Sequence, residues 1–211
     1  MGRRRRCTDR GRPVGPTFNE MISAIVLAAG KSERMGRPKA LLPFRGRTFV
    51  ENILDAISRS SIGHAVVVVG HHHEEIERSV PLPSVVFNPD YEQGMITSFQ
   101  AGIRALPPNM TGSFLFLVDH PLVDAAVIEA LIASLAPNRI VLPTYQRRRG
   151  HPVLFASEVL QEILALPASQ GANIVVRKDP NRIIEVPVNA PGILVDVDTP
   201  EQFKLLTKDP I

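Results

Sequence analysis

The chain has 211 residues, 44% of them hydrophobic, one cysteine and a formal net charge of +3. That length and apolar share support a core of ordinary size; the lone Cys7 excludes an internal disulfide framework and fits a reducing, cytoplasmic setting, and no apolar run reaches the roughly 18 residues of a membrane span. The charge does not mark a nucleic-acid partner: Arg3, Arg4, Arg5, Arg6, Arg10 and Arg12 against Asp9 and Glu20 exceed the whole excess, so residues 21–211 are slightly acidic and show no clustered basic face.

Residues 1–20 are rich in Arg, Gly and Pro without hydrophobic periodicity, which reads as a disordered basic extension. A single domain, residues 21–211, is expected to begin at Met21 with the strand "MISAIVLAAG". The turn after it ends in Gly30-Lys31-Ser32, like a P-loop, but Ile25 stands where GxxxxGK[ST] needs its first glycine. "TFVENILDAISRS" is a helix opened by Thr48 with Glu51 three residues on, a capping box. "HAVVVVG" is a strand, and "HHHEE" after it is helix-entry polarity, since no second His or Cys cluster completes a zinc site. "SVVFN", "SFLFLVDH", "RIVLPTY" and "HPVLFA" read as further strands, several continuously apolar as in a buried parallel sheet. "GMITSFQAGIRAL" and "DAAVIEALIASL" carry helical apolar stripes. "TPEQFKLLT" offers Thr199 as cap, Pro200 at the first turn and Gln202 as box partner. The alternation predicts an open, mostly parallel sheet between two helical layers, with ligands bound beyond the carboxyl ends of the strands.

Lys31, Arg34, Arg37 and Lys39 place four cations within nine residues of that first turn. Gly30 and Gly36 permit tight backbone there, so the segment suits a phosphate group. Asp119 ends an apolar strand, where a carboxylate can hold Mg²⁺ together with substrate phosphates or simply begin a turn before Pro121. Asp196 and Asp198, two apart on an expected strand, point the same way; Asp198 is alternatively a helix N-terminal acid. A basic turn with separated acids suits nucleotidyl transfer, which rests on positioning and charge. His120 could serve as a general base but is read as structural or substrate-orienting.

"LAAGKSERMGRPKALLPF" closely resembles the LAAGxSxRMGxxK signature of nucleotidyltransferases with the Rossmann-like nucleotide-diphospho-sugar transferase fold, a three-layer α/β/α architecture. "NPDYEQGMITSFQAGI", "VDHPLV", "RRRGHPVLF" and "PGILVDVDTPEQF" resemble its molybdenum cofactor cytidylyltransferase branch, the likeness spanning about residues 22 to 206. The resemblance implies CMP transfer from CTP to the terminal phosphate of a molybdopterin-type cofactor, with Mg²⁺ as the metal and a molybdoenzyme as client. It places Leu27, Ala28, Ala29 and Gly30 beside base and ribose. Lys31, Arg34 and Lys39 would contact the triphosphate, with Lys39, Arg34 and Asp119 carrying catalysis. Asn88, Gly94 and Ser98 match the nucleotide-side segment, and Gly150, His151 and Pro152 the acceptor side. Asp119, Asp198 and Asp196 would bind metal. The chain departs from the family's usual GDxGAR run at Gln170 and Asn173. A guanylyltransferase, a sugar- or alcohol-phosphate cytidylyltransferase of this fold, and a non-catalytic cofactor carrier stand as alternatives.

Overall fold

The computed structural model describes residues 21–208; the disordered extension expected at 1–20 lies outside them. Ten strands and seven helices follow one another as β1 (Met21–Ala28), β2 (Pro43–Phe44), β3 (Arg47–Thr48), α1 (Phe49–Ser58), β4 (His64–Val69), α2 (His73–Ser79), β5 (Val85–Phe87), α3 (Met95–Arg104), β6 (Met110–Leu117), α4 (Ala125–Ile132), β7 (Ile140–Tyr145), β8 (Arg148–Arg149), β9 (Val153–Ala156), α5 (Ser157–Leu164), α6 (Asn173–Lys178), β10 (Ile183–Pro187) and α7 (Pro200–Lys208).

The main sheet runs β10-β7-β9-β6-β1-β4-β5, with β8 paired to β7. The β1–β4, β1–β6, β4–β5 and β7–β10 pairs are parallel. β9 is antiparallel to both β6 and β7. The reason is the short link between β7 and β9, which holds only the β8 hairpin; a parallel crossover needs about a dozen residues or more. Helices cover both faces, so every residue of β1 after Met21 is buried. The period of two then divides the core. Ile22, Ala24 and Val26 pack with Val50, Ile53, Ile128 and Leu131 of α1 and α4. Ile25 and Leu27 pack on the other face with Phe99, Ile103, Val159 and Ile163 of α3 and α5. A third cluster joins Phe44 and Phe49 to Val197 and Leu206, so α7 is anchored beside the β2–β3 hairpin.

The capping box at α1 is present in full: Thr48 Oγ1 accepts from the Glu51 N–H, and Glu51 Oε2 accepts from the Thr48 N–H at 2.6 Å. At α7, Gln202 Oε1 accepts from the N–H groups of Asp198 and Thr199. One local expectation is corrected. Residues 195–198 belong to no strand ladder; they close over the turn after β6, where the Val197 N–H donates to the Asp119 carbonyl at 3.0 Å. Buried Val197 still alternates with Asp196 and Asp198, so both acids stay on the side away from the core. Among the described residues no helix is long and apolar enough to cross a membrane.

Candidate active site

A crevice of about 420 Å³ opens beyond the carboxyl ends of β1 and β6. Its walls include Leu27, Ala28, Ala29, Gly30, Lys31, Arg34, Lys39, Ser98, Asp119 and Asp198, which come from four separate stretches of sequence. Asn88 and Gly94 do not line it. Asn88 is buried and donates through Nδ2 to Thr97 Oγ1 at 3.0 Å and Ser98 Oγ at 2.9 Å, so it sets the Ser98 hydroxyl from behind. Gly94 is the N-cap of α3.

The turn from Lys31 to Lys39 is fixed at several points. Ser32 adopts a left-handed conformation (φ 54°), and its hydroxyl accepts from the Lys39 N–H at 3.1 Å. The imidazole of His72 meets the Lys31 carbonyl at 2.9 Å, and Lys31 Nζ pairs with Glu92 at 2.7 Å. His71 meets the Tyr91 hydroxyl at 3.1 Å. The histidine triplet therefore braces this turn and opens α2. Sequence reasoning did not assign His72, Tyr91 or Glu92 to the site; the only signal was their place in the quoted "NPDYEQG" block and at a strand end. Gly70 lets these layers meet, since a Cβ there would lie 2.7 Å from the Ala29 carbonyl and 2.8 Å from Tyr91 Cβ.

Lys39 brings the distant acids together. Its ammonium is 3.2 Å from Asp119 Oδ2 and also hydrogen-bonds Asp198 Oδ1, while Arg34 lies 3.8 Å from Asp198 Oδ2. Burial alone would lower the Lys39 pKa, but Asp198 and Asp119 outweigh it and the value is raised. The same contact with Lys39 holds the Asp198 carboxyl below its usual range. Asp196 is pushed the other way, by partial desolvation and by the like charges of Asp119 and Asp198.

The predicted acceptor block sits against this cluster. Gly150 passes so close to Ile193 that a Cβ would overlap its carbonyl oxygen, and the His151 N–H donates to that oxygen at 3.0 Å. The His151 ring faces His120 at 4.6 Å between centroids. Burial lowers the pKa of both histidines, that of His151 to about 4, so His151 is neutral at pH 7. Asp119, His120 and Asp196 offer ligand atoms within 4.8 Å of one another. Asp119 Oδ1 and His120 Nδ1 are buried without a hydrogen-bond partner. Unpartnered carboxylate and imidazole atoms beside a raised carboxyl fit a divalent cation.

Residues 24–183 match the family model described as MobA-like NTP transferase domain. The chain belongs to the MobA-like NTP transferase family. Relatives of this MobA-like chain carry different activities in their names. Nicotine blue oxidoreductase of Paenarthrobacter nicotinovorans is 30% identical over 205 residues, covering 92% of this chain and 100% of its own. Molybdenum cofactor cytidylyltransferase of Escherichia coli K12 is 29% identical over 189 residues, 86% of this chain and 93% of its own. Rv0371c of Mycobacterium tuberculosis superposes with a TM-score of 0.81 at 26% identity, covering 91% of this chain and 100% of that one. A manganese complex of the same mycobacterial protein superposes at 0.76, again at 26% identity, over 90% and 99%. As a MobA-like NTP transferase the chain is a nucleotidyltransferase with the nucleotide-diphospho-sugar transferase fold.

Proposed function

We propose that the chain transfers CMP from CTP to the terminal phosphate of a molybdopterin-type cofactor, releasing pyrophosphate and supplying the product to a molybdoenzyme. The observation that carries this reading is the meeting of Lys39, Arg34, Asp119 and Asp198 at one crevice. A carrier that performed no chemistry would have no need of cations and acids gathered at a triphosphate-sized cleft. The name of the Escherichia coli relative supports the cytidylyl reading.

The backbone of Leu27, Ala28, Ala29 and Gly30 lies beside base and ribose. The second alanine, Ala29, favours a cytidine nucleotide over guanosine. Arg34 and Lys39 hold the triphosphate, Lys39 nearest the α-phosphate, where an ammonium offsets charge that grows as the new P–O bond forms. Lys39 gives up one carboxylate contact for a phosphate oxygen as the nucleotide enters. Asp119, flanked by Asp196 and Asp198, would hold the divalent ion. Mg²⁺ or a similar ion, when bound, offsets charge on the phosphate oxygens and on departing pyrophosphate. The acceptor phosphate is ionised at neutral pH and needs no base, in keeping with neutral His151. Gly150, His151 and Pro152 face the acceptor.

Thermal melting with each of the four common NTPs plus Mg²⁺ tests the nucleotide, because a ligand at 100 times its Kd stabilises by about 2.7 kcal/mol. CTP is expected to raise Tm most; a larger rise with GTP favours the guanylyl alternative. Pyrophosphate release from CTP on adding molybdopterin tests the acceptor. Cofactor binding without pyrophosphate would turn the reading into pure carriage.

A further inference from the structure

His120 has no task in the reaction described above, yet it is built into the site. Asp119 lies in the turn just past β6, and that turn is closed by the His120 N–H donating to the Leu117 carbonyl at 3.0 Å. The Val197 N–H on the Asp119 carbonyl then draws Asp196 alongside. These two backbone contacts put an imidazole nitrogen and two carboxylates within 4.8 Å of one another. Ligands that share one ion each lie about 2.0–2.3 Å from it, so a shift of about 0.5 Å closes the set.

Two orphaned atoms point to an occupant. Asp119 Oδ1 and His120 Nδ1, on consecutive residues, are both buried and unpartnered, whereas buried polar atoms nearly always have a partner and an orphan commonly marks an ion or water. Lys39 and Arg34 both engage Asp198, and Lys39 also takes Asp119 Oδ2 at 3.2 Å. That leaves Asp119 Oδ1 and Asp196 on the side of His120.

We propose that His120 is a metal ligand through a ring nitrogen, and that the Asp119–His120–Asp196 site takes a first-row divalent transition ion in preference to Mg²⁺. The chemistry follows from the donors. An all-oxygen set suits Mg²⁺, and a neutral imidazole shifts affinity towards later ions of the series. Mg²⁺ fills the same site at higher concentration. The inference rests on the metal-dependent reading of the site.

The test uses the full chain without nucleotide. Mn²⁺ is titrated and followed by loss of the free-ion electron spin resonance signal, and the bound ion is then examined by electron spin echo modulation. Directly bound imidazole is expected to give ¹⁴N modulation in the wild type and in His151→Ala, but none in His120→Ala. Competition is expected to show Mn²⁺ at least about tenfold tighter than Mg²⁺, with most of that margin lost in His120→Ala. Circular dichroism checks that each variant is folded, and the wild-type spectrum decides even if His120→Ala is not. Bound Mn²⁺ lacking ¹⁴N modulation, modulation that persists in folded His120→Ala, or no Mn²⁺ binding would each overturn the proposal. Failure of CTP turnover leaves these spectra as they are, so the two readings fail separately.

Discussion

At the scale of single residues, Lys39 carries the heaviest demand. One ammonium, with only 13% of its side chain exposed, joins two carboxylates that are 80 and 159 positions away in sequence. Lys39→Ala is expected to cut pyrophosphate release by about 10²–10³-fold. Its circular dichroism should match the wild type, since Asp119 and Asp198 keep access to water. Lys39→Arg is not expected to rescue it, because a planar fork cannot replace a compact charge between two acids. Gly150→Ala tests packing instead. The new methyl would meet Ile193 Cγ1 at 2.7 Å as well as its carbonyl, so a loss of about 1–3 kcal/mol is expected from denaturant melts. Lys39, Asp119 and Asp198 were legible in the sequence because each sits at the end or start of an element with an apolar run to anchor it. The bracing by His72 was not, since a hydrogen bond to a backbone carbonyl leaves no pattern in side-chain type.

Among the elements, α1 shows how local chemistry sets an end. Thr48→Ala removes one half of its capping box and is expected to cost about 0.5–2 kcal/mol in urea unfolding. Glu51 supplies the other half, and the Thr48 backbone and hydroxyl donors lower its pKa from 4.5. A carboxyl whose folded pKa is depressed adds stability above its unfolded value and loses it as pH falls through the folded one. The stability gap between wild type and Glu51→Gln is therefore expected to be full at pH 7 and to shrink in acid below 4.5. Long elements were legible: β1, β4 and β6 as continuous apolar runs, α1, α3, α4 and α7 from stripes and caps. Others left weak traces. α5 begins directly where β9 ends, so no turn residue announces it. The strands β2, β3 and β8 have two residues each, below any period, and β10 is an edge strand closed by Pro187.

Over the whole molecule, the two ends of the described chain cooperate. Phe203 on α7 packs edge-on to Phe49 at 5.9 Å and lies under the Arg37 guanidinium at 5.7 Å. The last helix thus steadies both the turn after β1 and the segment that carries Asp198. Phe203→Ala is expected to lower stability by about 1–2 kcal/mol, as for a partly buried aromatic. It should also raise the CTP concentration needed for half-maximal pyrophosphate release, read alongside Tm. The parallel sheet with its crevice at the strand ends was foreseen from strand–helix alternation. The reversed direction of β9 was not, because it is dictated by the length of a link rather than by residue type.

That reversed strand has a further effect. β9 is the sole rib of the main sheet between β6, whose end leads into the turn with Asp119, and β7, whose far end leads through the hairpin to Gly150. One strand, antiparallel to both neighbours, therefore joins the side that leads to Asp119 to the side that leads to the block proposed to face the acceptor. On the proposed reading, a change of recipient would be written in the loop at Gly150, His151 and Pro152, outside the shared interior that spans both sides of β9.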